Sequence, residues 1–591
     1  MMASSSSSTF RFGDFELDLA AYALRRRGHA IRLERRPMDL LILLVQRHRE
    51  LVSRADIVER LWGSGVHVDA EMGVNTAIRK VRQVLGDAAE APTFIETVSG
   101  RGYRFIATVE TLEAHPAPTS GTATLAVLPF ENLDGDPEHE YLADGFTEEA
   151  TTALGQIDPE HLSVIGRTSV LSFKRTAKSL AHIGRELGAT YLVEGSIRAE
   201  GKRWRVTTRL IRARDQVQIW SASFDSEPRS MLEFQRQLSG AIAEQIRLRL
   251  SPDYLNVLER RQSRSPEAYD LYLRGRYLWN QLTPQTNRAA VEHYARATAL
   301  DPHYSLAWAG LADAFASSPI NADAQPVEVS PRARDAAARA VASGPDIAES
   351  QTSQGNVNYW IDWDWPAAEA AFRRAIDLDP SYALAHRNFG VLLATVGRHE
   401  EARACLRRAR ELDPLQPMVY ALSAHVALLA RDESAGLEFA RHATVVGPAF
   451  WIGFYQLAWA YERLGEMDLA LQALSDADAS TGGNSKMISL RGYILAKNGR
   501  RAEAEHVVST LEAISHERYV PPYALALVHA GLGHRERTLD WLQHAYSVRD
   551  VHLIWLPMDP KWDEFRTEPV FLRLLERCGF RTSTRPSGMS R

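Results

Sequence analysis

Cysteine is scarce in this sequence. The 591 residues contain only Cys405 and Cys578, which are too far apart for a CxxC metal or redox motif. Long apolar runs are also missing, since the most apolar run, residues 40–45, has six residues against the roughly 18 needed to cross a bilayer. The N-terminus lacks the basic and apolar regions of a secretory signal. These absences disfavour a disulfide scaffold, structural zinc, a membrane anchor and export, and they predict a cytoplasmic protein.

Catalytic motifs are missing as well. No HExxH or GxSxG pattern occurs, and the phosphate-loop-like stretch at 195–202 has Arg203 where a Ser or Thr would hold magnesium. That stretch lies between two strand patterns, so it is interpreted as a hairpin. The composition is that of an ordinary globular protein, with 45% hydrophobic residues and a net charge of −5. We therefore predict no enzymatic activity, no metal and no cofactor.

Composition divides the chain into segments, and a prior of roughly 150 residues per domain suggests about four units. The serine-rich residues 1–9 are predicted to be disordered. Two polar, proline-containing stretches, 109–122 and 251–267, are predicted to be linkers. They leave three domains, at 10–108, 123–250 and 268–550, followed by a helical cap and tail at 551–591.

The third domain repeats with a period of 34 residues, marked by Pro380, Pro414 and Pro448. Small residues recur 12 and 5 positions before these and later markers: Ala368 and Ala375, Ala402 and Ala409, Gly436 and Ala443, Ala470 and Ala477. This period and these positions resemble the tetratricopeptide repeat. The resemblance implies an all-α solenoid of about eight repeats. Its concave face would bind a protein, peptide or small-molecule partner that the sequence does not identify.

The first domain combines strand and helix patterns. Residues 10–33 alternate as strands, three helical patterns follow, and two short strands at 93–98 and 103–107 are joined by a glycine-containing turn. The third helix, residues 71–86, carries an apolar stripe spaced i, i+4, i+7 and i+11: Val74, Ile78, Val81 and Leu85. Asn75, Arg79 and Arg82 follow one residue later, so they are predicted to form a parallel, outward-facing stripe about 100° around the helix.

This order of elements, with the stretches VNTAIRKVRQVLGD and IETVSGRGYRF, resembles the OmpR/PhoB-type winged helix over residues 10–108. The resemblance implies an α+β winged helix-turn-helix whose third helix enters the major groove and whose hairpin, the wing, touches the minor groove. By position, it implies DNA contacts from Asn75, Arg79, Lys80 and Arg82 on the helix and from Arg101 on the wing. It also implies a contact with RNA polymerase through the loop before the third helix: Gly63, Ser64, Gly65, Val66, His67, Val68 and Asp69.

Regulators of this type usually carry a phosphoacceptor receiver domain before the winged helix, which places them in phosphorelay signalling. Only nine residues precede Phe10, so we do not expect a receiver in cis to control this protein. The arrangement is similar to the CadC type, in which the DNA-binding domain comes first. Residues 108–123 supply no membrane span of the kind some CadC-type proteins have.

The middle domain, residues 123–250, alternates strand and helix patterns, and the stretches AVLPFENLDGDPEHEYLADGFTEE and ELGATYLVEGSIR resemble the TolB N-terminal-like α/β domain. No catalytic residue follows from that resemblance. The whole chain is thus predicted to be multidomain, with a winged helix, an α/β domain and an all-α solenoid in that order.

The predicted function is a transcriptional regulator that binds double-stranded promoter DNA sequence-specifically, by resemblance as a homodimer on tandem half-sites. The solenoid would receive the signal. The alternative is a tetratricopeptide scaffold whose winged helix is a protein-interaction domain. DNA binding and its dependence on Arg79 and Arg82 separate the two hypotheses.

Overall fold

The computed structural model describes residues 9–18, 23–26, 29–31, 33, 35–62, 70–88, 90, 92–98, 100–112, 123–136, 139–158, 161–200, 203–226, 231–246, 254–281, 283–321, 324–481 and 484–580. The chain divides into two units, residues 1–121 and 122–591. Each unit has its own core.

The first unit is built from short strands and three helices. Its described elements are β1 (Thr9–Phe12), β2 (Phe15–Asp18), β3 (Ala23–Arg26), β4 (His29–Ile31), α1 (Arg35–Gln46), β5 (Leu51–Ser53), α2 (Arg54–Trp62), α3 (Ala70–Leu85), β6 (Ile95–Val98), β7 (Gly102–Phe105) and β8 (Glu110–Leu112). One antiparallel sheet has the order β4-β3-β2-β1-β8, and the other has the order β5-β7-β6.

The helices pack beneath these sheets, and the apolar stripe of α3 is buried as predicted. Val74, Ile78, Val81 and Leu85 all lie in the core of this unit, together with phenylalanines of β1, β2 and β7. The rings of Phe12 and Phe105 meet edge to face at 5.0 Å. The buried stripe determines which side of α3 can face solvent.

Two features of this unit differ from the sequence prediction. A turn at Gly13, with φ +55°, divides the first predicted strand into β1 and β2. The assignment of 109–122 to a linker is wrong for residues 110–112, because they form β8 and pair with β1, Arg11 facing Glu110. This strand gives β1 a second hydrogen-bonded neighbour.

The second unit opens with an α/β segment. Its described elements are β9 (Ala123–Val127), β10 (Glu131–Asn132), α4 (Glu140–Gly155), β11 (Leu162–Val164), α5 (Arg167–Leu171), α6 (Leu180–Leu187), β12 (Tyr191–Glu200), β13 (Arg203–Arg212), β14 (Val217–Ser226), α7 (Met231–Gln245) and α8 (Tyr254–Arg260). The sheet order is β11-β9-β12-β13-β14, with β10 beside β12. Strands β9, β11 and β12 are parallel, whereas β12, β13 and β14 form an antiparallel meander.

Alternate residues of the central strands face opposite layers of helices. Leu125 and Val193 share a core with α4 and α7, while Ala126 and Leu192 pack with α6 on the other face. The hairpin expected around 195–202 is confirmed, since β12 and β13 pair antiparallel from Tyr191 and Arg212 up to Glu200 and Arg203. The linker prediction for 251–267 is wrong, because α8 lies within it and its Leu258 is fully buried.

Within the described residues, eight helix pairs follow the α/β segment. The helices are α9 (Pro266–Trp279) and α10 (Pro284–Leu300), α11 (Ser305–Asn321) and α12 (Pro326–Ser343), α13 (Ala348–Val357) and α14 (Trp365–Leu378), α15 (Ala383–Thr395) and α16 (His399–Leu412), α17 (Pro417–Leu429) and α18 (Glu433–Val446), α19 (Trp451–Arg463) and α20 (Met467–Thr481), α21 (Ser485–Lys497) and α22 (Arg501–Ser515), and α23 (Pro522–Gly531) and α24 (Arg535–Ser547). A π-helical turn, Asn358–Asp362, follows α13.

The periodic small residues allow close helix contacts within this solenoid. Ala368, Ala402 and Ala470 are fully buried. A Cβ at Gly436 would lie 2.6 Å from the Leu428 side chain, so even alanine would require a shift there. The prediction of a helical repeat solenoid is confirmed.

The last described elements are two 3₁₀-helices, Val551–Trp555 and Pro560–Phe565, and α25 (Pro569–Arg577), and this segment folds back on an earlier repeat. Arg549 donates hydrogen bonds to the carbonyls of Ile361 and Asp362, at 2.9 and 3.1 Å. Phe580 stacks on Trp365 with ring centroids 4.7 Å apart. In the described residues, no helix has the length and apolar character that a membrane crossing requires.

Candidate nucleic-acid interface

The exposed face of α3 is the candidate interface. Opposite the buried stripe, α3 exposes Asn75, Thr76, Arg79 and Gln83, a spacing that keeps these side chains on one side of the helix. Arg79 makes no hydrogen bond or ion pair within the described part of the chain. Lys80 is half-buried at the edge of this face. The sequence prediction did not include Gln83, although it lies one helical turn beyond Arg79.

Arg82 does not belong to this face, and the prediction that it projects outward is wrong. Its side chain is only 12% exposed. Its Nη2 donates to the Ile95 carbonyl at 2.7 Å and to the Thr97 hydroxyl at 3.0 Å, both on β6. Its Nε lies 3.7 Å from a carboxylate oxygen of Asp87. Arg82 therefore ties α3 to the wing, defined here as the hairpin β6–β7.

Asp87 anchors the base of the same hairpin. Its side chain is completely buried. One oxygen accepts hydrogen bonds from the backbone N–H groups of Thr93 and Phe94, at 2.6 and 3.0 Å, and the other accepts from Ile95 at 2.9 Å. A buried carboxylate with three N–H donors and a neighbouring guanidinium is well compensated for its burial. Asp87 and Arg82 together fix where the wing begins relative to α3.

A second polar cluster connects α2, α3 and the wing. Asn75 Oδ1 accepts from the Tyr103 hydroxyl at 3.0 Å and from Arg54 Nη1 at 3.3 Å. The Arg54 guanidinium also lies 5.5 Å from the centre of the Tyr103 ring. Sequence analysis missed Arg54 and Tyr103, because nothing in their local pattern places them beside Asn75. The cluster holds Asn75 by its oxygen, and its amide nitrogen has no acceptor among the described residues.

The wing presents Arg101 at its tip, where the side chain is exposed. Gly100, with φ +71°, and Gly102, with φ +155°, flank it. The Arg101 N–H donates to the Val98 carbonyl at 3.0 Å, which closes the turn. A Cβ at Gly102 would lie 2.1 Å from the Val52 carbonyl oxygen, so β7 can pair with β5 only with glycine here.

This contact leads to a prediction about the wing. Gly102→Ala should lower the free energy of unfolding of the first unit by roughly 2–4 kcal/mol, because β5 and β7 must separate or strain. Gly100→Ala is the matched control, since a Cβ there meets nothing within 4 Å and only the positive φ is penalised, by about 1–2 kcal/mol. Hydrogen exchange of the β5 and β7 amides in the full chain measures the effect. Equal protection in both variants would contradict it.

The loop assigned to polymerase contact, Gly63, Ser64, Gly65, Val66, His67, Val68 and Asp69, lies outside the described residues. That assignment stays a prediction. No group of three or more potential metal ligands occurs among the residues that the structure describes.

Comparison with known families assigns three parts of the chain. Residues 28–105 match the family described as "Transcriptional regulatory protein, C terminal". Residues 121–242 match "HilA/YgeH-like transcriptional regulator, second domain", and residues 363–426 match "Tetratricopeptide repeat". The α/β segment therefore has counterparts in transcriptional regulators, and its resemblance to TolB stays a prediction.

Individual relatives agree with this assignment. The chain is 24% identical to "Transcriptional regulator HilA" of Salmonella typhimurium over 416 residues, which are 69% of this chain and 71% of that protein. It is 37% identical to "Transcriptional activator protein IrlR" of Burkholderia pseudomallei over 97 residues, 16% of this chain and 42% of that protein. It is 32% identical to "Putative adenylate cyclase 3" of Rhizobium meliloti over 204 residues, 34% of each chain. The match to the protein named as an enzyme thus spans about a third of that protein.

Proposed function

We propose that this chain, a regulator with an OmpR/PhoB-type winged helix and tetratricopeptide repeats, binds promoter DNA sequence-specifically through α3 and the wing. The observation that carries the proposal is the exposed face of α3, where Arg79 has no protein partner in the described residues. This face lies within the residues that match the transcriptional regulatory family.

The chemistry of the face suits base recognition. An arginine can donate two hydrogen bonds to O6 and N7 of guanine, and a glutamine or asparagine pairs in the same way with adenine. Arg79 and Gln83 lie one turn apart on the exposed side of α3, so both can reach base edges when the helix enters the major groove. Asn75 and Lys80 flank them. Arg101 at the wing tip would enter the adjacent minor groove, where the negative potential attracts arginine.

Arg82 has a different role in this proposal. Its hydrogen bonds to β6 support a role in setting the spacing between the helix and the wing, and in this proposal it does not itself contact DNA. The proposed DNA contacts from the helix are therefore Asn75, Arg79, Lys80 and, in addition, Gln83. Acidic and basic residues are nearly balanced in the first unit, so non-specific affinity should be modest and tight binding should require a homodimer on tandem half-sites.

The remaining parts of the proposal concern regulation. The loop of residues 63–69 would contact RNA polymerase, and the second unit would receive the signal. The fold of the second unit supports this division, since a large cavity lies between its α/β segment and its repeats. The TolB-like character of the α/β segment is part of the proposal.

Selection from random duplexes tests the function directly. The full chain should enrich a defined sequence, and a binding titration against salt should show specific affinity well above that for scrambled DNA. Failure to enrich any sequence, with equal affinity for all duplexes, would contradict the proposal and favour the scaffold alternative.

A further inference from the structure

The second unit contains a cavity of about 1600 Å³. Its wall is formed by the α/β segment on one side and by the first helices of successive repeats on the other, and the C-terminal 3₁₀-helices also contribute to it. Cavities for small molecules in proteins usually have volumes of about 300–1,000 Å³. This one can therefore enclose such a molecule with room to spare.

Arg387, on α15, stands out in this wall. Its Nε donates to Asn388 Oδ1 at 3.1 Å and its Nη1 to Gln416 Oε1 at 3.4 Å. Nη2 has no acceptor among the described residues, and no carboxylate there lies within 4 Å of the guanidinium. Arg276, in the same wall, is instead paired with Glu148. Arg387 is thus a cavity cation held by neutral amide oxygens.

Asp413 and Asp313 act on the Arg387 guanidinium through space, but both form hydrogen bonds with other residues. Asp413 accepts hydrogen bonds from the Ser169 N–H at 2.8 Å and from Gln416 Nε2 at 2.9 Å. Asp313 accepts from Asn356 Nδ2 at 2.9 Å. Burial lowers the pKa of Arg387 to about 10, so the guanidinium remains protonated at neutral pH. A protonated group in such surroundings is stabilised strongly by an anion that replaces lost water.

Apolar side chains continue the wall beyond Arg387. Met418 and Leu422 on α17, in the next repeat, line the same cavity, as do Phe450 and Ile452 at the start of α19. All four are half-buried, so part of each side chain remains open to the cavity. The cavity therefore combines a half-buried cation that has no carboxylate within ion-pair distance among the described residues with apolar side chains in the same wall.

We propose that this cavity binds a small organic anion whose carboxylate or phosphate head is held by Arg387 and whose apolar body lies against Met418, Leu422, Phe450 and Ile452. A guanidinium with a free edge suits either head group, because both accept paired hydrogen bonds from arginine. This anion would be the signal that the second unit receives. Its regulatory role rests on the proposed function, whereas its binding to the cavity does not.

The head-group position also lies next to a contact between the two parts of the unit. Gln416 accepts from Arg387 and donates from Nε2 to the Thr168 hydroxyl of α5, at 3.1 Å. If a bound anion draws Arg387 away from Gln416, then Gln416 loses one of its hydrogen bonds. Gln416 also holds α5 against the solenoid through Thr168. This gives the bound anion a route to the α/β segment.

Fluorescence titration of the full chain with 1-anilinonaphthalene-8-sulfonate, an aromatic anion, tests the site. We expect Arg387→Gln to raise the dissociation constant of this probe by about tenfold or more, as for loss of a charge-assisted hydrogen bond. Arg407→Gln is the matched control, because Arg407 is exposed on α16 and the substitution removes the same charge. The Arg407→Gln chain should bind the probe as tightly as the unaltered chain does. Equal affinity in the Arg387→Gln chain would overturn the proposal.

A second variant keeps the proposal testable if the Arg387→Gln chain does not fold. Leu422→Trp fills the apolar part of the cavity and leaves Arg387 in place, so it should also weaken the probe, and unchanged affinity would overturn the proposal even if Arg387→Gln fails to fold. Competition with 3-phenylpropionate and phenyl phosphate, which share an apolar body, identifies the head group; displacement by neither would also overturn it. Because no DNA is present, failure here is separate from failure of DNA binding.

Discussion

Arg79→Ala should raise the dissociation constant for the selected duplex by roughly 5- to 150-fold, the range for losing one arginine contact to a base. The physical reason is that Arg79 extends from the exposed face of α3 and forms no hydrogen bond with the described part of the protein, so its donors are available to a base. Because it packs against nothing in the core, the unfolding midpoint of the first unit should not change. Filter binding at several salt concentrations measures the effect.

Arg11→Ala is the matched control for this experiment. Arg11 is exposed on β1 and is paired with Glu16 at 2.9 Å, so its loss removes the same charge from the same unit. Its effect on DNA affinity should be small and should disappear at high salt. If the two variants weaken binding equally, Arg79 contributes only its positive charge to the electrostatic attraction of DNA. Recognition of bases by α3 would then be contradicted. Arg82→Ala, in contrast, should lower the unfolding midpoint as well as DNA affinity.

Asp87→Ala should destabilise the first unit by about 3–5 kcal/mol, the cost of removing one partner from a buried ion pair. Three backbone N–H groups would lose their acceptor and Arg82 would keep a half-buried charge without a carboxylate. That loss is a large fraction of the roughly 5–15 kcal/mol by which native proteins are stable. Calorimetry of the full chain should therefore show an early transition assigned to this unit.

Glu90→Ala provides the comparison, since Glu90 is exposed a few residues further along the same connection and should change stability by less than about 0.5 kcal/mol. Asp87→Asn should fall between the two, because an amide keeps one acceptor oxygen for the backbone donors. If Asp87→Ala and Glu90→Ala unfold at the same temperature, Asp87 does not anchor the wing.

The spacing of apolar residues allowed the orientation of α3 to be predicted. Val74, Ile78 and Val81 recur with the helical period, so the burial of that side and the exposure of Arg79 follow from local sequence. The outcome for Arg82 could not be predicted in this way. Its partners, Ile95 and Thr97, lie 13 and 15 residues further along the chain, and their proximity exists only after the hairpin folds back on the helix.

The sequence analysis missed β8 and α8 for the same reason, since both are held by residues far away in the chain. Polar composition suggested linkers at 109–122 and 251–267, but β8 is ordered by pairing with β1 at the other end of the unit. Similarly, the segment after α8 is held by Arg261, which forms two hydrogen bonds with Glu349, 88 residues away. Long-range partners of this kind leave no periodic signal, whereas the repeat solenoid does, because its small residues recur every 34 positions.

The docking of α5 changes the mechanics of the repeats. In an ordinary repeat array each repeat touches only its neighbours, so the array can be peeled from one end. Here the Ser169 N–H and hydroxyl both reach Asp413, 244 residues away, and the Gly166 N–H donates to the Leu412 carbonyl at 2.6 Å. These contacts join α5 to the end of α16, so the helices from α9 to α16 lie in a stretch of chain whose two ends are hydrogen-bonded to each other. The later repeats are closed in a similar way, because Arg549 bonds to the carbonyls of Ile361 and Asp362 and Phe580 stacks on Trp365. Under load the repeats should therefore yield in large cooperative steps and should not peel one at a time from either end.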